Sequence, residues 1–208
     1  MTRPHPDPAE RPAAPPDPGG GSAPLSVPAA PVRLTGLGLV LREWTEADLA
    51  AMAEAFDDPE VDRWTPLPSP FDHAAAMDRL ARATADRAAG RRLCLAVTED
   101  GGTPLGEVLV FPDRHFPGGG EMGYGLSAKH RGRGLASRSI RLLTGFAYDT
   151  LGLDRLVLRI DRANEASSAV ARATGFVPDG AEPLVEFSKG RRHDLVTWVH
   201  DRDRRADR

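Results

Sequence analysis

Apolar and polar positions along this chain fall into two rhythms, one close to two residues and one close to 3.6, and the switches between them predict its elements. Leu37-Gly38-Leu39-Val40-Leu41-Arg42 reads as a first strand. Thr45 then offers an N-cap for a helix over residues 46–56, where Ala47, Leu49, Ala50, Met52 and Ala53 supply an apolar side. Pro66, Pro68 and Pro70 break the pattern, and residues 72–89, with Met77, Leu80 and Ala81 at helical spacing, predict a second helix preceded by a short helical stretch at 60–64. Residues 93–97 and 105–111 are β-rich runs around Glu99-Asp100-Gly101-Gly102, a hairpin signal because glycine accepts the positive φ of tight turns. A strand over 121–126, a long helix over 134–151, a strand over 155–160 and a helix over 164–174 ended by Gly175 follow as β-α-β-α. Residues 176–187 and 194–199 predict two closing strands around a Lys189-Gly190 turn. The sum is an α+β domain with no internal repeat.

Composition alters this picture at the ends. Ten of the 19 prolines fall at or before Pro31, with Gly19-Gly20-Gly21-Ser22 among them and few large apolar side chains. Such a segment cannot bury enough surface to offset its ordering entropy, so residues 1–31 are expected to be a disordered tail, 32–202 the folded domain and 203–208 a charged, solvated end. Arg3 gives a positive start, but no continuous apolar stretch follows it, against a signal peptide. No run approaches the ~20 apolar residues of a membrane span, so a soluble, cytoplasmic protein with no membrane partner is expected.

The single cysteine, Cys94, lies in Leu93-Cys94-Leu95-Ala96-Val97 and reads as core, with no second cysteine for an internal disulfide. A formal charge of −3 gives no overall field for nucleic acid, although Arg131, Arg133 and Arg138 act locally. His73, His115, His130, His193 and His200 show no paired ligand spacing, and no metal is expected.

The passage richest in chemistry runs from strand to helix: Glu121-Met122-Gly123-Tyr124-Gly125-Leu126-Ser127-Ala128-Lys129-His130-Arg131-Gly132-Arg133-Gly134-Leu135-Ala136. Glycines just ahead of a helix let backbone N–H groups approach an anion, and the helix N-terminus adds about half a positive charge. A Walker loop is absent. Gly118-Gly119-Gly120-Glu121-Met122-Gly123 satisfies GxGxxG but precedes a strand, the wrong context for a dinucleotide fingerprint. Gly132-Arg133-Gly134 sits properly between strand and helix, yet hairpins elsewhere leave no room for a doubly wound parallel sheet.

Arg131-Gly132-Arg133-Gly134-Leu135-Ala136 resembles the R/Q-x-x-G-x-G/A loop of the GNAT N-acetyltransferases, which wraps the pyrophosphate of coenzyme A. Asn164-Glu165-Ala166-Ser167, followed by Gly175-Phe176, resembles the N-x-x-S…G-F segment of the family's RimJ/RimL branch. Leu41-Arg42-Glu43-Trp44-Thr45-Glu46-Ala47-Asp48, Glu121-Met122-Gly123-Tyr124 and Gly190-Arg191-Arg192-His193-Asp194 extend the resemblance over residues 34–202.

The resemblance implies a GNAT fold: a twisted, mostly antiparallel sheet of about seven strands with about four helices, splayed between its fourth and fifth strands to admit the pantetheine arm. It implies acetyl-CoA as co-substrate, a primary amine as acceptor (a peptide N-terminus or a small molecule) and homodimerisation as a family habit. Coenzyme contacts are expected from Leu126, Arg131, Gly132, Arg133, Gly134, Leu135, Ala136 and Asn164, with the backbone N–H near Leu126 facing the thioester oxygen.

Aminolysis of a thioester needs a neutral amine, a donor at the developing oxyanion and a proton for the leaving thiolate. Many relatives supply that proton from a tyrosine four residues before Gly-Phe, where this chain has Ala171. Ser167 matches the RimL-like alternative, and reads equally as a first-turn residue behind an Asn164 N-cap. Glu186 and Glu121 are the candidate bases, and each reads also as a solvent-facing strand residue. The leading expectation is RimJ/RimL-like transfer of acetyl to a primary amine, a protein N-terminus, by direct attack; transfer to an amino acid, polyamine or antibiotic, and a non-catalytic acyl-CoA-binding module, are the alternatives.

Overall fold

A computed structural model describes residues 23–202; most of the expected tail, residues 1–22, and the charged end at 203–208 lie outside the described residues. Alternation explains why the sheet has two cores. In β3 (Leu93–Thr98) the side chains of Leu93, Leu95 and Val97 join one cluster while Cys94 and Ala96 join another. Successive residues of a strand point to opposite faces, so a run buried at every position must be covered on both. The first face carries α4 (Leu135–Asp149) and α5 (Glu165–Ala173), and the second carries α1 (Leu49–Phe56) and α3 (His73–Ala88). Helix α4 presents Ala136, Ile140, Leu143 and Ala147 to its core, a stripe at helical spacing that repeats every three or four residues.

The remaining elements are β1 (Arg33–Gly36), β2 (Leu39–Glu43), α2 (Pro59–Trp64), β4 (Gly106–Pro112), β5 (Gly119–Leu126), β6 (Arg155–Asp161), β7 (Val177–Pro178), β8 (Leu184–Ser188) and β9 (Arg191–Asp201). Among the described residues the sheet runs β1-β2-β3-β4-β5-β6-β9-β7, with β8 on β9, and its one parallel pair is β5 with β6. The nine strands and five α-helices of the described residues exceed the counts that the resemblance implied, for local reasons. The expected first strand is the second arm of a hairpin whose turn, Leu37 (φ 52°) and Gly38 (φ 68°), has positive φ at both positions and so matches the strand twist. The expected strand over 176–187 is divided by Pro178, Gly180 and Pro183 into β7 and β8. The helix expected from residue 46 starts as a 3₁₀ turn at Glu46–Asp48, where Asp48 Oδ2 accepts the Thr45 backbone N–H at 2.9 Å and its hydroxyl at 2.8 Å.

Leu25 is buried and donates its N–H to Gly90 O at 2.8 Å, and Arg87 Nη2 donates to the carbonyls of Pro28 and Ala30. The last residues of the proline-rich stretch therefore lie against the domain. Cys94 is core as expected, and burial pushes its thiol up to about 12. Among the described residues, no helix is long and apolar enough to cross a membrane.

Backbones approach most closely at Gly106, where an added Cβ would stand 2.3 Å from Gly125 O and 2.8 Å from Leu126 Cα. Gly106→Ala is expected to cost about 1–3 kcal/mol by forcing β4 and β5 apart, read as a lower thermal midpoint; an unchanged midpoint would show that this contact relaxes freely.

Candidate active site

Strands β5 and β6 pair only over Gly119–Glu121 and Arg155–Val157, although β5 continues to Leu126 and β6 to Asp161. Beyond Glu121 they diverge, as the sequence resemblance implied. Ser127 N–H donates to Leu105 O at 3.0 Å, in register with the β4–β5 ladder. Because antiparallel bonds alternate, the main-chain polar groups of Gly123 and Gly125 then face β4, and those of Tyr124 and Leu126 face the gap. The Leu126 carbonyl accepts Arg131 Nε at 3.1 Å.

At the mouth of this gap lies the turn from Arg131 into α4. Gly132 (φ 75°) and Gly134 (φ 71°) hold the left-handed conformation that favours glycine, and no atom lies within 4 Å of a Cβ added at either. Arg138 N–H donates to Gly134 O at 3.1 Å, while the N–H groups from Gly132 to Ser137 make no backbone bond among the described residues. A row of unpaired donors at a helix N-terminus, with open space before it, suits a phosphate group. The arginines here are tied to protein partners. Arg131 Nη2 pairs with Asp58 Oδ1 at 2.5 Å, Arg133 with Glu99 at 2.7 Å, and Arg138 Nη1 with the carbonyl of Leu37 at 2.9 Å.

Helix α2 is held at both ends around the site. Asp58 caps it by accepting the N–H groups of Glu60 and Val61 as well as Arg131; burial works against its ionisation, but these donors together hold its carboxyl below the ordinary range. Asp62, near the other end, pairs with Lys189 Nζ at 2.8 Å in the β8–β9 turn, and this bond holds its carboxyl low as well.

The two sheet faces divide the other candidates. Glu121 and Arg159 share the α1–α3 face, where Glu121 and Asp113 both pair with Arg159, the latter at 2.9 Å. Burial pushes the Glu121 carboxyl up to about 7; Arg159 opposes the rise, and the charges of Asp113 and Glu186 add to it. Glu186 is thus within electrostatic reach of Glu121, although its own side chain is exposed and stands opposite His193 in the β8–β9 register. His193 Nδ1 lies 2.9 Å from Asp161 Oδ2 on the same face.

Ser167 belongs to the other face, in the first turn of α5, where its N–H donates to Asn164 Oδ1 at 3.0 Å. Asn164 is therefore a helix cap, engaged through its side-chain oxygen. Beside Ser167 stands Tyr124, whose hydroxyl is buried. Burial pushes this phenol up to about 12, with Ser167 tempering the rise. Ala171, at the position where many relatives carry tyrosine, is fully buried.

Sequence reasoning missed Tyr124 as a chemical group, together with Arg159 and Asp113. Arg159 could have been found as the charge inside the apolar run Leu156-Val157-Leu158-Arg159-Ile160, since a lone arginine in a buried strand needs a partner.

Residues 38–177 match the family model for the acetyltransferase (GNAT) domain. YdaF of Bacillus subtilis (strain 168), named as an unproven ribosomal N-acetyltransferase, is 32% identical over 78 residues, covering 38% of this chain and 43% of its own. Spermidine N(1)-acetyltransferase of Escherichia coli (strain K12) is 31% identical over 91 residues, covering 44% of this chain and 48% of its own. The chain thus spans under half the length of these curated relatives. The structure of Mycobacterium smegmatis RimJ in complex with CoA-disulfide superposes with a TM-score of 0.73 at 18% identity, covering 84% of this chain and 88% of that one. With the family model covering most of its length and the splayed sheet in place, this chain belongs to the GNAT acetyltransferase family.

Proposed function

We propose that the protein moves the acetyl group of acetyl-CoA to a primary amine by direct attack, with a protein N-terminal amine as acceptor in the RimJ/RimL manner. The observation that carries this reading is the divergence of β5 from β6 after Glu121, which opens a passage through the sheet with different chemistry on its two sides. On the α4–α5 side, the N–H groups of Gly132, Arg133, Gly134, Leu135 and Ala136 suit the pyrophosphate, and Arg131 and Arg133 would exchange carboxylate partners for phosphate. The acidic α1–α3 side suits an amine. The acetyl-CoA supplies an activated acyl carbon; the residues of the chain orient it and move protons.

Glu121, or Glu186 through water, takes the proton that the amine nitrogen loses as its lone pair forms the new C–N bond. The Leu126 N–H faces the oxygen of the tetrahedral centre. When the C–S bond breaks, Ser167 donates its hydroxyl proton to the thiolate sulfur, the adjacent Tyr124 phenol reprotonates the serine oxygen, and the phenolate regains a proton from water. Cys94, buried in the second core, takes no part, and no acyl-enzyme forms. A cytoplasmic location follows from the co-substrate.

Ser167→Ala and Tyr124→Phe are each expected to lower kcat by about 10- to 100-fold with little change in acetyl-CoA affinity, and the double variant to be no worse than the more damaged single one. Additive losses would show that the two hydroxyls act separately. The reading as a whole is tested by isothermal titration with acetyl-CoA beside a thiol-release assay over N-terminal peptides, amino acids, polyamines and aminoglycosides. Binding with release for peptides supports it, release for small amines alone moves the acceptor class, and binding without any release leaves a coenzyme-binding module.

A further inference from the structure

We propose that Asp113 and Arg159 form a positioning pair that fixes the Glu121 carboxylate at the point where β5 and β6 part and keeps it available as a proton acceptor. The inference rests on the reading of Glu121 as base.

Asp113, just past the end of β4, is fully buried. Its Oδ1 accepts the backbone N–H groups of His115 and Phe116 at 2.5 and 3.0 Å, which fixes the carboxylate to the turn between β4 and β5. Its Oδ2 holds Arg159 Nη2 at 2.9 Å, leaving Nη1 of the same guanidinium for Glu121. The arginine side chain is only 6% exposed, and its Nε has no hydrogen-bond partner among the described residues. A buried arginine with an unfilled donor is costly as a purely structural device, because a buried ion pair is often no more stable than well-packed apolar side chains. Here the planar fork orients one carboxylate by means of another that the backbone already holds.

Arg159 on β6, Asp113 in the β4–β5 turn and Glu186 on β8 bear most strongly on Glu121, with the paired Asp161 and His193 on the same face. Their signs make opposite predictions for the two partners. A base must be ionised, so activity should rise with pH through the Glu121 ionisation. Removing the arginine charge leaves burial and two negative neighbours unopposed, and the acidic limb of kcat/KM should move to higher pH. Removing the Asp113 charge while keeping its shape should move the limb to lower pH.

The test is the pH profile of Arg159→Gln, Arg159→Lys and Asp113→Asn beside the wild type and Glu121→Gln. Difference infrared spectra of the same proteins without co-substrate follow the protonated Glu121 carboxyl directly. We expect the limb and the infrared midpoint to rise by about one unit or more in Arg159→Gln, to fall in Asp113→Asn, and to stay near the wild-type value with lower kcat in Arg159→Lys. If acetyl-CoA still binds and neither midpoint moves in Arg159→Gln or Asp113→Asn, the positioning pair is refuted while the base stands. If Arg159→Gln does not fold, Asp113→Asn decides alone by the direction of its shift. Full activity in Glu121→Gln would instead remove the base, and this inference with it.

Discussion

Acetyl-CoA binding is expected to weaken by about a hundredfold or more when Gly134 is replaced by glutamate, for two separable reasons. Gly134 caps α4 at φ 71°, a conformation that costs a residue with a Cβ about 1–2 kcal/mol. No atom stands within 4 Å of an added Cβ, so the new carboxylate would occupy the space in front of the unpaired N–H groups, where it competes with a phosphate for the same donors. Gly134→Ala carries only the first effect and should weaken binding by about tenfold. Titration calorimetry on the three proteins separates the terms. Equal affinity in wild type and Gly134→Glu would remove the phosphate site from this turn and with it the coenzyme reading.

Glu121→Gln is expected to lower kcat by about 10²- to 10⁴-fold and to abolish the acidic limb, which in the wild type should lie near the value of about 7 to which burial pushes this carboxyl. Co-substrate affinity should hardly change, because Glu121 lies on the face opposite Tyr124 and Leu126. The same group predicts a stability signature. An unfolded glutamate ionises near 4.5, whereas the folded chain holds the proton up to about 7, so the wild type should lose stability as pH rises between these values and level off above them. Glutamine cannot ionise, and the variant should lack that slope. A retained limb and retained slope would assign both to another group, with Glu186 the first alternative.

The periodicities carried most of the architecture because they are local. The β-α-β-α passage from residue 119 to 173 was readable from glycine and apolar spacing alone. One short strand was not. Arg33–Gly36 is an edge strand with an exposed and half-buried alternation, too weak to stand out, and its turn uses Leu37 at positive φ where a glycine or asparagine would have announced it. The division of the expected strand over 176–187 was equally hidden, because Val177–Pro178 pairs with Val199 and Trp198, 20 or more residues onward, a contact without a local signal.

The candidate site divides in the same way. The glycine turn was legible because positive φ and open space restrict the residue type. Its arginines were legible as charges, but their present partners Asp58 and Glu99 come from distant segments. Glu121 was visible as a carboxylate, whereas its environment depends on Asp113 and Arg159, which the sheet brings together. Asn164 was read as a coenzyme contact and as a cap, and its side chain caps Ser167.

Because β5 sends Glu121, Gly123 and Gly125 to one side and Met122, Tyr124 and Leu126 to the other, a single eight-residue strand presents two interleaved sets of positions, one to each face of the sheet. Changes in one set share few contacts with the other, so their energetic effects should be close to additive. Under the proposed function, such a chain could be retuned toward a new amine at its odd-numbered positions while the even-numbered ones, on the acyl-donor side, stay unchanged.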